Sequence, residues 1–131
     1  MKLVHYSKVD LEPVYTEGAQ GAQIRWLIGQ KDGAPNFAMR LFEVAPGGHT
    51  PYHSHEWEHE NFIVEGEGVL QTEEGDLPFG PGDTIYVDPG MVHAYKNTGT
   101  TTLKFLCLIP HEQPIKKKTI NPFANEMANN C

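Results

Sequence analysis

The chain has 131 residues, of which 39% are hydrophobic and 21% charged, with 13 glycines and 10 prolines. This makes one domain around one core and excludes a two-domain enzyme or a disordered chain. Seventeen acidic residues against ten basic ones leave a net charge of -7, a field that any nucleic acid would have to bind against, so no nucleic-acid partner is expected.

The opening MKLVHYSKVDLEPV has no continuous apolar stretch, and no run in the chain approaches membrane-spanning length. Neither a leader nor a membrane partner is expected, and the cytoplasm is the default. Strand-like segments then follow at residues 24–29 (IRWLIG), 37–44 (FAMRLFEV), 60–66 (ENFIVEG), 68–75 (GVLQTEEG), 83–90 (DTIYVDPG), 91–97 (MVHAYKN) and 103–110 (LKFLCLIP). Turn chemistry separates them (APGG, EGEG, EEGD, GPGD, NTGTT), and no window before residue 111 carries a helical period, so the chain reads as all-β. Residues 1–110 read as a barrel or sandwich domain. Residues 111–131 read as a C-terminal extension, surface-lying or partly ordered, irregular or with NPFANEMANN as one short helix, in which the basic run 116–118 is solvated. Cys107 and Cys131 form no C-x-x-C and imply no disulfide framework, in keeping with a reducing compartment.

Residues 53–60, HSHEWEHE, hold two possible metal sites. His55, Glu56 and His59 match H-E-x-x-H, in which two histidines share a helix face and the glutamate is a base. Thr50 and Pro51 could start such a helix. Against this, Tyr52, Trp57, Phe62, Ile63 and Val64 lack a helical period, and NFIVEG is β-branched and aromatic. On a strand, His53 and His55 share one face about 6.6 Å apart, whereas His59 would lie about 20 Å from His53. The chain must therefore bend through Glu56, Trp57 and Glu58 and return on a strand beginning near His59, whose inner face carries His59, Asn61 and Ile63. His59 is then the third ligand. His93, carried inward with Met91 and Tyr95 after the DPG turn, is the fourth; His5, His49 and His111 are left over.

Other residues could shape the pocket. If Lys104 points outward, Phe105 and Cys107 face the interior; Cys107 reads as a small core residue or as a thiol near the metal. Tyr95 fills the barrel mouth or donates a hydrogen bond to a ligand. Arg40 is expected to pair with Glu43 or Glu65, with an anion-holding role as the alternative. Trp57 at the bend is expected to pack or to make a dimer contact.

Gly47, His53, His55, His59 and Gly66, followed by Gly82, Gly90, His93 and Asn97, resemble the two paired signatures of the cupin superfamily. Two positions depart from them: Asp88 stands at the usual proline, and His59 at the usual glutamate. The phrases APNFAMRLFEVAPGG, HSHEWEHE and FLCLIP further resemble small cupins with a four-histidine, manganese-type site. The resemblance spans residues 24–110 and implies a double-stranded β-helix, or jelly-roll barrel, in a single domain, often paired as a homodimer.

Four neutral imidazoles leave the +2 charge of a divalent ion uncompensated, so the site should attract an anionic small molecule. Imidazole also suits Fe, Ni, Cu and Zn, and manganese is implied by the resemblance alone. The leading expectation is an oxygenase-type enzyme that activates dioxygen or peroxide to oxidise or cleave a small organic substrate. The alternatives are a metal-dependent sugar or keto-acid isomerase or lyase, and a non-catalytic small-molecule binder.

Overall fold

Period-two alternation of apolar and polar residues governs the architecture. A computed structural model describes residues 1–111 and 130–131. Nine strands follow in order: β1 (Glu12–Pro13), β2 (Gln20–Ile28), β3 (Phe37–His49), β4 (His59–Glu65), β5 (Gly68–Thr72), β6 (Gly75–Phe79), β7 (Thr84–Val87), β8 (His93–Asn97) and β9 (Leu103–Pro110). The helical turns among the described residues are two three-residue 3₁₀ segments, Tyr6–Lys8 and Gln30–Asp32. None of the described helices is long and apolar enough to cross a membrane. The short helix expected within 121–130 falls almost wholly outside the described residues.

All pairings between the strands are antiparallel, in the order β6-β5-β8-β3-β9-β4-β7, with β2 laid on β3 and β1 on β2. The 13-residue β3 joins the parts: its first residues pair with β9 from Phe37↔Pro110 to Val44↔Leu103, and its last, His49, reaches Lys96 on β8. The sheet curls into the all-β barrel expected from the sequence. On β9, Leu103, Phe105, Cys107 and Ile109 are buried, and on β4 so are His59, Asn61 and Ile63, while Phe62 and Val64 are exposed. Phe105 stacks between Phe42 (5.3 Å) and Tyr95 (4.5 Å) at the centre of the core.

The strand at 68–75 ends at Thr72, and a further strand, β6, had no counterpart in the sequence reading. Its sequence GDLPF carries Pro78 and buries only Phe79, which suits the sheet edge it occupies. Met91, expected inward, is 51% exposed because β8 begins only at His93.

Gly66 closes the turn between β4 and β5 at φ +88°, and a Cβ there would meet Leu103 Cα and the Thr102 carbonyl oxygen at 2.8 Å. Both strain and collision oppose a side chain. Gly66→Ala should lower stability by about 2 kcal/mol in a urea titration; an unchanged midpoint would mean that the turn relaxes freely.

Candidate metal centre

The bend through HSHEWEHE is present: residues 56 and 57 turn, and β4 starts at His59. The H-E-x-x-H helix is not formed. His53 and His93, from the two signature segments, form an isolated antiparallel bridge, with His53 N donating to His93 O (3.1 Å) and His93 N donating to His53 O (2.9 Å). Gly90, at φ +82°, turns the second segment so that its N–H donates to His55 O at 2.6 Å. Backbone hydrogen bonds therefore hold the two ligand-bearing loops together before any ion takes part.

Side chains continue the arrangement. His53 Nδ1 lies 2.6 Å from Pro51 O, and His93 Nδ1 lies 2.8 Å from Met91 O. Carbonyl oxygens only accept, so neutral His53 carries its proton on Nδ1 and keeps a lone pair on Nε2, whereas His93 has an oxygen acceptor at each ring nitrogen, Nε2 lying 2.9 Å from Cys131 O. His53 Nε2 faces His55 Nε2 at 2.7 Å. The ligand atoms of His53, His55 and His93 all lie within 4.8 Å of one another.

His59 adjoins this trio. Its ring centroid is 4.8 Å from that of His55 and 5.2 Å from that of His93, but its ligand atom falls in a second buried group with Cys107 and Cys131. The structure thus gathers the four predicted histidines into one interior, with three closely set and the fourth turned toward sulfur. Burial, reinforced by the neighbouring histidines and Arg40, holds His55 down to about 3 and His59 lower still, while burial lowers His53 as well. These three rings are neutral at physiological pH, as metal binding requires.

A divalent ion fits this donor set. His59 Nε2 is buried without a hydrogen-bond partner, and the 2.7 Å approach of His53 Nε2 to His55 Nε2 brings two ring nitrogens together where a cation could draw on both lone pairs. Each Nδ1–H···O=C bond orients its ring and raises the basicity of the opposite nitrogen. Imidazole donors suit several transition metals.

Cys107 corrects the sequence reading most sharply. It is buried as its parity on β9 requires, but it is no free thiol: it is disulfide-bonded to Cys131. The extension is not wholly surface-lying either, since Asn130 and Cys131 are 4% and 0% exposed. No C-x-x-C spacing announced this pairing; the bond joins a barrel strand to a residue 24 positions away.

Arg40 departs from expectation as well. Glu43 pairs instead with Arg25 (2.8 Å), and Glu65 lies 3.8 Å from Lys104. Arg40 is fully buried, with Nη1 donating to Asn130 O (2.8 Å), Nη2 to Cys107 Sγ (3.0 Å), and its guanidinium over the rings of Phe42 and Trp26. Burial lowers its pKa to about 9, which leaves it cationic at neutral pH.

Tyr95 is also fully buried, and its hydroxyl donates to Asn61 Oδ1; burial pushes the phenol's pKa well above the usual range. Asn61 was not among the predicted pocket residues. Its position two residues after His59 on the same strand face was the available signal. Trp57 packs as expected, stacked on His55 at 4.6 Å. Asn97 ties β3 to the loop before β9, donating to Val44 O and Thr101 O at 2.8 Å each.

Comparison with known proteins places these features in context. The family Cupin_2, described as a cupin domain, matches residues 40–109, more than half of the chain. The solved polyketide cyclase RemF from Streptomyces resistomycificus superposes with a TM-score of 0.83 at 36% identity, covering 93% of this chain and 88% of that one. A protein described as a predicted oxalate decarboxylase, from Thermotoga maritima, superposes with a TM-score of 0.74 at 29% identity over 83% of this chain and 98% of its own. The oxalate-binding protein of Thermotoga maritima is 40% identical over 74 residues, which span 53% of this chain and 61% of that protein.

Proposed function

Because the chain belongs to the cupin family, we propose that it is a metal-dependent enzyme acting on a small, anionic, oxygen-rich substrate inside the barrel. In this reading His53, His55, His59 and His93 together hold a divalent ion, manganese by resemblance. One observation carries it: the buried polar residues of the described chain include Arg40, His55, His59 and His93 but no aspartate or glutamate, and His53 is half-buried beside them. An interior with one fixed cation, neutral imidazoles at His55 and His59 and no carboxylate side chain among the described residues favours an anion, and no acidic side chain would offset the ion's charge.

Bound there, the ion would supply Lewis-acid polarisation of a carbonyl or enolate oxygen. Arg40 would orient a second oxygen of the substrate through its planar donor fork. Tyr95 and Asn61 would present a fixed hydroxyl and amide pair at the wall, with the high pKa keeping Tyr95 a donor instead of a base. Apolar walls from Phe42 and Phe105 would exclude water and strengthen each of these interactions. Similarity to a polyketide cyclase and to an oxalate-binding protein supports this class, since oxalate and polyketone chains both offer adjacent or alternate oxygen pairs.

The test is turnover of enolisable β-diketones, keto acids and dicarboxylates by reduced protein loaded with Mn(II), Co(II) or Zn(II), with and without oxygen. Consumption that persists with Zn(II) under anaerobic conditions, at least about 100-fold above His53→Ala, is the expected result. Dependence on both oxygen and a redox-active ion would establish the oxygenase alternative instead. No consumption above His53→Ala with any ion would overturn the enzymatic reading.

A further inference from the structure

The barrel interior is filled in part by the chain itself. Cys131 is bonded to Cys107 beside His59, and its Sγ lies 3.1 Å from Asn61 Nδ2 and 3.5 Å from the Tyr95 hydroxyl. Its main-chain oxygen lies 2.9 Å from His93 Nε2, while the Asn130 carbonyl accepts from Arg40 Nη1 at 2.8 Å. The pocket groups that could receive a ligand, Arg40, Asn61, Tyr95 and His93, thus all face residues 130 and 131. At His93 both ring nitrogens face main-chain oxygens, Met91 O at Nδ1 and Cys131 O at Nε2.

We propose that Asn130 and Cys131 are an internal ligand of this pocket, tethered by a reducible bond. With the Cys107–Cys131 bond formed, the segment occupies the substrate space and covers His93 Nε2; with it reduced, the segment leaves. The step needs an external dithiol. One of its thiolates attacks a cysteine Sγ, the Sγ–Sγ bond breaks, and the second thiol closes the dithiol's own disulfide. Two electrons and two protons pass to Cys107 and Cys131, which end as thiols. Among the described residues, the contacts that then hold Asn130 and Cys131 include hydrogen bonds to Arg40, Asn61 and His93 that water or a substrate can replace.

The two seated oxygens also describe the molecule that takes over. One oxygen sits at Arg40 and another at His93, so a displacing ligand carries two oxygen acceptors, as a dicarboxylate or a β-dicarbonyl does. This part rests on the reading of the histidine cluster as the substrate site; the release itself does not.

Cysteine alkylation of the full chain tests the release without metal or substrate. In protein handled in air, iodoacetamide should label neither cysteine. After dithiothreitol, Cys131 should label at least tenfold faster than Cys107, which stays buried on β9. Labelling of both without reductant, or equal slow labelling of both after reduction, would overturn the proposal. Co(II) titration supplies the second measurement: reduced wild type and Cys131→Ser in air should both bind at least tenfold more tightly than oxidised wild type. Equal affinity in the oxidised protein would show that nothing is blocked. A thiolate-to-Co(II) charge-transfer band in reduced wild type that is absent from Cys131→Ser would show the sulfur retained as a ligand, which also overturns release. If labelling succeeds and no substrate turns over, the catalytic reading fails while the tethered segment stands.

Discussion

Metal-stripped protein should lose stability steeply as the pH falls below about 6.5, and it should go on losing it to about pH 3. The unfolded chain protonates its histidines near 6.5, whereas the folded chain resists, with His53, His55 and His59 all depressed. Their contribution is therefore fully present above the unfolded value and is lost as acid drives protons onto the unfolded state. Each histidine whose folded value lies far below the ambient pH costs about 1.4 kcal/mol per pH unit inside that window, so His55 and His59 together cost about 3 kcal/mol per unit, and His53 adds to the loss in the same direction. Against the usual reserve of about 5–15 kcal/mol, the metal-free barrel should be strongly weakened at pH 5 and unfold at lower pH. Urea midpoints at pH 7.5, 6 and 5 measure this directly. A flat series would mean that the rings protonate in place and that the interior admits water. Added divalent ion should shift the whole profile toward lower pH, because it binds the neutral imidazoles of the folded state alone.

His59→Glu should produce the second large effect, with opposite signs in the apo and loaded protein. Position 59 is fully buried. A carboxylate there without an ion is costly, offset only in part by the Arg40 cation whose field already reaches this residue. The apo variant should therefore melt well below wild type. Loaded with metal, it should hold the ion more tightly, since one anionic donor joins the neutral ones. Its affinity for anionic ligands should fall about tenfold or more, because the charge offered to them drops from +2 to +1. Oxalate binding to the Mn(II)-loaded reduced proteins checks this, and equal oxalate affinity in the two proteins would remove the uncompensated charge as the basis of the site.

Much of this architecture was legible because the strands obey a period of two. The faces of β4 and β9 followed from parity, and the bend at residues 56–58 followed from the reach of an extended chain, which cannot bring His53 and His59 together without one. Pairing between Cys107 and Cys131 was not legible, because it depends on where residues outside the barrel return. Arg40 misled for a related reason. Its candidate partners at 43 and 65 were chosen by proximity along the sequence and chemistry, yet each is matched to another cation on the outer face. β6 escaped notice because an edge strand that buries one residue carries almost no hydrophobic signal.

The stack of Trp57 on His55, at 4.6 Å with the ring planes 11° apart, makes the molecule its own optical probe. An indole held face to face with an imidazole changes its emission when that imidazole gains a proton or a metal ion. The other tryptophan, Trp26, lies beside Arg40. Emission from Trp57 in a Trp26→Phe background would then follow occupancy of the histidine cluster in real time, without a substrate and without a label.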